Sequence, residues 1–159
     1  MKKKEIYQLV IAVGVCQATG LIGSIFTRSS VSKWYPTLLK PSFTPPGWVF
    51  GPVWVGLYFL MGVAAFLVWR RGLEIREVRK ALFFFAVQLG LNLLWSVFFF
   101  GLKSPVAGLV DIVLLSLAII FTIRSFLPVS KPAALLLVPY FLWTSFATGL
   151  NLTIWYLNR

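Results

Sequence analysis

Five apolar runs, each about the length needed to cross a bilayer, constrain this chain more than any other feature. They cover roughly residues 6–26, 47–69, 81–101, 106–126 and 132–156. A hydrocarbon core about 30 Å thick is spanned by roughly 20 helical residues, because an α-helix rises only about 1.5 Å per residue. The expected fold is therefore all-α: an integral membrane bundle of five transmembrane helices. It forms one membrane domain over residues 1–159, with a long loop at 27–46. About two-thirds of the chain would lie in lipid, which leaves little for a soluble domain.

Composition agrees. The chain is 59% hydrophobic and 12% charged, and a soluble domain carries about twice that charge. Mean hydropathy is +0.88. The formal charge of +11 does not point to nucleic acid. The basic residues sit at the ends of apolar runs, where snorkelling and topology account for them, rather than on a soluble surface. With no histidine, His acid–base chemistry and His metal ligation are excluded. The four carboxylates, Glu5, Glu74, Glu77 and Asp111, are too few for a metal cage or a paired-carboxylate hydrolase. No metal and no cofactor is expected. The single cysteine, Cys16, excludes an internal disulfide. It lies inside an apolar run that continues past it, as a packing residue rather than a lipoprotein anchor.

The first run follows Lys2, Lys3 and Lys4 and is not trailed by a small-residue cleavage site, so it reads as helix one rather than a signal peptide. Its small pairs, Gly14 with Ala18 and Thr19 with Gly23, allow another helix to approach closely. The stretch 27–46 is rich in proline and aromatic residues, with Trp34-Tyr35-Pro36 and Lys40 to Pro46. It is expected to pack over the mouth of the bundle. Thr44 is a plausible N-cap, with Pro45 as the first helical residue. Pro52 lies early in helix two, Pro105 opens helix four, and Pro139 should bend helix five. The side bearing the N-terminus carries ten basic residues, including Arg70, Arg71, Arg76, Arg79 and Lys80. The other side carries five, Arg28, Lys33, Lys40, Lys103 and Arg159. The positive-inside rule then places the N-terminus in the cytoplasm of a cell membrane.

Three helices carry polar or aromatic stripes at helical spacing: Trp54 and Tyr58; Gln88, Asn92 and Trp95 with Ser96 beside them; and Trp143, Ala147 and Asn151. Amides inside a membrane are costly unless partnered, so these stripes should face the interior. Gln88 is expected to hydrogen-bond between helices. Asn92 suits pocket lining and packing equally. Asp111, the carboxylate deepest in an apolar run, is either functional or a near-interface acid paired with a cation or hydroxyl. Of seven tryptophans, Trp34, Trp48, Trp69 and Trp155 fall near helix ends, as in an aromatic belt. Trp54, Trp95 and Trp143 lie deeper and would either stack on a flat apolar ligand or face lipid. Leu152, Tyr156 and Arg159 fit a loose sterol-contact pattern but read more simply as interface anchors.

Taken together, these stretches resemble the translocator protein family, also called tryptophan-rich sensory protein or peripheral benzodiazepine receptor, in its bacterial type. The resemblance runs from Trp34-Tyr35 through Lys40 to Val49, then Gly51 to Trp54, Leu57-Tyr58 and Met61-Gly62. It continues through Gln88-Leu89, Leu91-Asn92, Trp95 and Phe99-Phe100-Gly101. It ends with Val110-Asp111, Pro139-Tyr140, Trp143, Phe146 to Thr148 and Leu150-Asn151. It implies a five-helix homodimer with a pocket opening toward the first loop. The implied ligands are porphyrins such as protoporphyrin IX, or similar flat apolar molecules such as sterols and benzodiazepine-type drugs. The implied ligand-binding residues are Trp54, Tyr58, Asn92, Trp95, Asp111, Trp143, Ala147 and Leu150. If the chain degrades porphyrin photochemically, as the resemblance allows, Trp54 and Trp143 would be the catalytic residues. Phe43, Ala107 and Leu152 stand where many members, or the animal members, have Trp, Trp and Tyr. The last two weigh against animal-type sterol and drug binding and leave the porphyrin expectation intact. The competing functions are a porphyrin receptor or translocator, a light-dependent porphyrin-degrading enzyme, and a non-catalytic partner that regulates or stabilises another membrane protein.

Overall fold

A computed structural model describes residues 3–159. It contains five spans built from six α-helices, and no strand among the described residues. They are α1 (Lys3–Lys33), α2 (Gly47–Trp69), α3 (Arg76–Ser96), α4 (Pro105–Phe126), α5 (Lys131–Leu136) and α6 (Val138–Leu157). A 3₁₀ turn (Tyr35–Thr37) follows α1, and a π-helical turn (Val97–Gly101) extends α3. Lys2, part of the N-terminal basic cluster, lies outside the described residues.

Several boundaries differ from the sequence expectation for physical reasons. Helix α1 continues to Lys33, so residues 27–33, expected in the loop, are helical. Their hydroxyls are satisfied by the helix itself: Thr27 donates to the Gly23 carbonyl (3.1 Å) and Ser32 to that of Ser29 (3.2 Å). At about 1.5 Å per residue, α1 reaches well beyond the hydrocarbon. The start of α3 likewise takes in Arg76 to Lys80, which hydropathy had assigned to a charged loop. Thr44 does not cap α2. Its hydroxyl donates to the Pro41 carbonyl at 2.7 Å and closes a turn, and Pro46 holds the cap position. Ser104 caps α4 instead, accepting from the Ala107 N–H at 3.3 Å. Pro139 has the expected effect: the last span breaks at Leu137 into α5 and α6.

The π turn widens the end of α3, with Leu102 N–H bonding the Val97 carbonyl at 2.7 Å. It brings two consecutive rings, Phe99 and Phe100, into the interior. The Ser30 hydroxyl of α1 donates to the Phe100 carbonyl at 2.6 Å, which fastens the top of α1 to that turn. Lower down, α1 lies close against α2. A Cβ on Gly62 would come within 2.5 Å of the Val13 Cα.

Chain direction and contacts separate the two ends of the bundle. The Glu5–Arg70 ion pair (3.4 Å) joins the N-terminus to the α2–α3 turn. Hydrogen bonds between Leu39 and Asn158 join the first loop to the end of α6. Toward the N-terminal face the core is dry and made mostly of small residues: Ala64, Val68, Val78, Ala81, Ala133 and Ala134 are buried, with Phe85 stacked on Phe126 at 5.9 Å. Toward the loop face the core is aromatic and polar.

Candidate functional site

Four of the eight candidate residues meet on one small cavity. Trp54 of α2, Asn92 and Trp95 of α3 and Ala147 of α6 line it, with Ile112, Leu115 and Thr144 completing the wall. The cavity measures about 10 Å³, room for about one water molecule. A flat ligand enters only if the aromatic side chains move apart.

Beside the cavity runs a hydrogen-bonded chain across three helices. The Tyr58 hydroxyl donates to the Asn92 side-chain carbonyl. The Asn92 amide donates to the Tyr140 hydroxyl at 3.0 Å, which donates to Gln88 Oε1 at 2.8 Å. Gln88 is thus an interhelical linker, while Asn92 both lines the cavity and holds helices together. Trp54 packs on the Tyr58 ring (5.5 Å) and edge-on to Tyr140 (6.3 Å). Trp95 stacks on Phe99 (5.1 Å), and its indole N–H donates to Asn151 Oδ1 at 3.1 Å. Asn151 in turn donates to the Pro105 carbonyl at 2.8 Å, tying α3, α4 and α6 together at this level.

The other four candidates lie off the cavity wall. Tyr58 is one hydrogen bond behind it. Asp111 is buried on α4, one turn before Leu115, and makes no ion pair among the described residues. Its Oδ2 has no hydrogen-bond partner, so the reading of Asp111 as an interface acid paired with a cation or hydroxyl is not what the structure shows. Leu150 is buried in a separate cluster with Phe99, Phe100 and Ile154. Trp143 belongs to an aromatic layer between cavity and loop, edge-on to Phe50 (5.9 Å) and near Phe146 (5.6 Å), which meets Phe43 of the loop at 6.3 Å. All three deep tryptophans are partly buried against the core, so none is a purely lipid-facing ring. Trp34, expected in the aromatic belt, instead packs edge-on against Phe99 at 5.6 Å.

The sequence reading did not single out Tyr140 as a site residue, although it is the fully buried hub of the hydrogen-bonded chain. The available signal was its four-residue step to Thr144, on a different face from the Trp143 stripe. Among the described residues, four buried side-chain atoms lack a hydrogen-bond partner: Gln88 Nε2, Asp111 Oδ2, Trp143 Nε1 and Thr144 Oγ1. All lie at mid-bundle or toward the loop. Buried polar groups left unpaired cost about 1–3 kcal/mol each, and a ligand with matching polar atoms would recover part of that.

The loop forms the roof. Lys40 Nζ donates to the carbonyls of Tyr35 (2.9 Å) and Leu38 (2.8 Å) and sits 5.0 Å from the Tyr35 ring centre. Burial pushes the Tyr35 phenol above its usual pKa range. Asn158 clasps Leu39 from both sides: Leu39 N–H donates to Asn158 Oδ1 (3.0 Å), and Asn158 Nδ2 donates to the Leu39 carbonyl (2.9 Å). At the chain end, the Arg159 guanidinium lies 4.1 Å over the Tyr156 ring, an arrangement suited to an interface anchor.

Comparison with known proteins agrees with this architecture. The family model described as TspO/MBR family matches residues 12–157. The chain is 52% identical to tryptophan-rich protein TspO of Chlorobaculum tepidum over 155 residues, covering 98% of each chain. It is 49% identical to the protein of that name from Archaeoglobus fulgidus, covering 97% of this chain and 99% of the other. It is 40% identical to the translocator protein of Homo sapiens over 150 residues, covering 92% and 89%. With five membrane-spanning helices and this match over nearly its whole length, the chain is a multi-pass membrane protein belonging to the TspO/MBR family.

Proposed function

We propose that the chain binds porphyrin-type tetrapyrroles, such as protoporphyrin IX, between its deep tryptophans as a membrane receptor or translocator. One observation carries this reading. Trp54, Trp95 and Trp143 are gathered beneath a clasped loop, beside buried polar atoms that no protein group satisfies. Large flat rings offer stacking area, and the unpaired Trp143 N–H, Thr144 hydroxyl and Asp111 carboxyl offer a few directional contacts, the usual make-up of a small-molecule site. Because the cavity holds only about a water molecule's volume, binding requires the Phe43–Phe146–Trp143 layer to part and the loop to lift. Sterols and benzodiazepine-type drugs are further flat apolar candidates.

The test is a titration of purified protein with protoporphyrin IX in darkness. Tryptophan fluorescence should be quenched saturably, and Trp54→Phe with Trp143→Phe should weaken binding several-fold. Absence of saturable quenching overturns the proposal. A second reading, light- and oxygen-dependent porphyrin breakdown, is favoured by the contacts of Trp54 with Tyr58 and Tyr140, which line up oxidisable rings beside the cavity. Trp54 and Trp143 would then be its catalytic residues. Illuminating the same sample separates the two readings: a photoproduct that forms equally fast without protein removes the enzymatic one.

A cell-membrane location with a cytoplasmic N-terminus is proposed on the basic end bearing residues 70–80. A homodimer is proposed on the outward-facing Gly14 and Ala18 of α1, where nothing approaches Gly14. Cross-linking through a cysteine placed at Gly14 tests it, and monomer alone at every protein-to-lipid ratio rejects it.

A further inference from the structure

At the opposite end from the tryptophan cavity, the start of α1 and the α2–α3 turn enclose a groove of about 700 Å³. Its walls include Lys4 and Tyr7 of α1, Trp69 at the end of α2, and Arg70, Arg71 and Glu74 of the turn. We propose that this groove seats the phosphate headgroup of an anionic phospholipid.

The turn is held in shape by its own bonds. Arg79 Nη1 donates to the carbonyls of Leu73 (2.8 Å) and Glu74 (3.0 Å). Gly72 adopts a φ of +115°, a conformation that a side-chain-bearing residue rarely adopts. Arg70 is oriented by Glu5 at 3.4 Å and lies 5.6 Å from the Phe66 ring centre. The cations are thus presented by an ordered turn rather than spread along a loose tail. Among the residues lining the groove, Lys4, Arg70 and Arg71 stand against Glu74 alone; Glu5 pairs with Arg70 and Arg79 braces the turn, so the groove keeps a positive charge. One phosphodiester supplies its complement, whereas a zwitterionic lipid leaves that charge unneutralised. Glu74 can accept from headgroup hydroxyls, which suits a phosphoglycerol headgroup.

The apolar surroundings continue the fit. Tyr7 and Ile11 are exposed beside the groove, so the start of an acyl chain can rest against them, on the N-terminal side of Gly14 and Ala18. Trp69, half-buried in the wall, sits at the headgroup level, where indoles concentrate.

Trp69 also supplies the assay. The full chain is reconstituted in phosphatidylcholine vesicles containing a minor fraction of acyl-brominated phosphatidylglycerol or of acyl-brominated phosphatidylcholine. Bromine quenches nearby tryptophans, and comparison with Trp69→Phe isolates the Trp69 signal. The expected result is stronger Trp69 quenching by the anionic lipid. Its apparent affinity should fall about fivefold for each of Lys4→Gln and Arg71→Gln. Arg124→Gln, a basic residue at the same end but outside the groove, should change nothing. Equal quenching by both lipids overturns the proposal, as does loss of the preference in Arg124→Gln to the same degree as in the groove variants. A third arm titrates glycerol phosphate in detergent. Saturable binding of that soluble ester without a lipid preference would mark a free-phosphate site and reject the lipid.

Discussion

The two ends of this bundle are built from the same helices but on different terms. Near the N-terminal face, Ala64, Val68, Val78, Ala81, Ala133 and Ala134 fill the interior with small aliphatic groups, and no buried unpartnered polar atom falls among them. Near the loop face the same helices present Trp54, Trp95, Trp143, Asn92, Thr144 and Asp111, with hydrogen bonds that are incomplete. Helices in lipid gain little from hydrophobic contact with one another, so close packing holds the dry end together. The loop end gives up some of that stability in unsatisfied groups. Such a division sets close packing at one end against unsatisfied polar groups at the other, where the proposed ligand would sit.

The largest expected effect comes from forcing the close-packed region open. Gly62→Leu must displace α1 from α2 at Val13 and should lower stability by about 3 kcal/mol, read as earlier unfolding in detergent. Porphyrin affinity of the protein that remains folded should be unchanged; a matching loss of affinity would mean the ends are not independent. Next is Tyr140→Phe, which strands the Asn92 amide and the Gln88 carbonyl and should cost about 1–3 kcal/mol. An unaltered Tm would show that the Tyr58–Asn92–Tyr140–Gln88 chain is not structural. Trp143→Phe keeps an aromatic ring but removes the indole. It should weaken porphyrin binding by about 0.5–1.5 kcal/mol while leaving Tm in place, the reverse of the Gly62 pattern. Smallest is Thr144→Val, which deletes an unpaired hydroxyl. Stability should rise by about 1 kcal/mol or less, and a clear fall in Tm would reveal a partner for that oxygen, such as an ordered water.

The number of spans was legible in the sequence because hydropathy reports transfer into lipid; the small-residue packing near the N-terminal face was not. The bounds of α2 follow directly from its apolar run. Hydropathy says nothing about helix outside lipid, and for that reason the polar turns at 27–33 and 76–80 read as loop. The ring-bearing stripes of α2, α3 and α6 were visible as four-residue steps, and four of their members do meet on one cavity. Tyr140, quoted in the resemblance, was not read as a site residue because its partners, Asn92 and Gln88, lie on another helix, and only the folded bundle brings them within reach. The π turn left no local sign, and the side chain that bonds its Phe100 carbonyl, Ser30, comes from α1, 70 residues earlier.

The clasp between Leu39 and Asn158 has a consequence for biogenesis. Its two halves are 119 residues apart, and chains are made and inserted from the N-terminus. Asn158 is made only after the residues of all five spans. The roof of the tryptophan cavity therefore cannot gain this clasp until α6 has been made. Until the final turn of α6 meets the loop, the Phe43–Phe146–Trp143 layer and the contacts of Trp34 and Tyr35 hold the loop against the bundle.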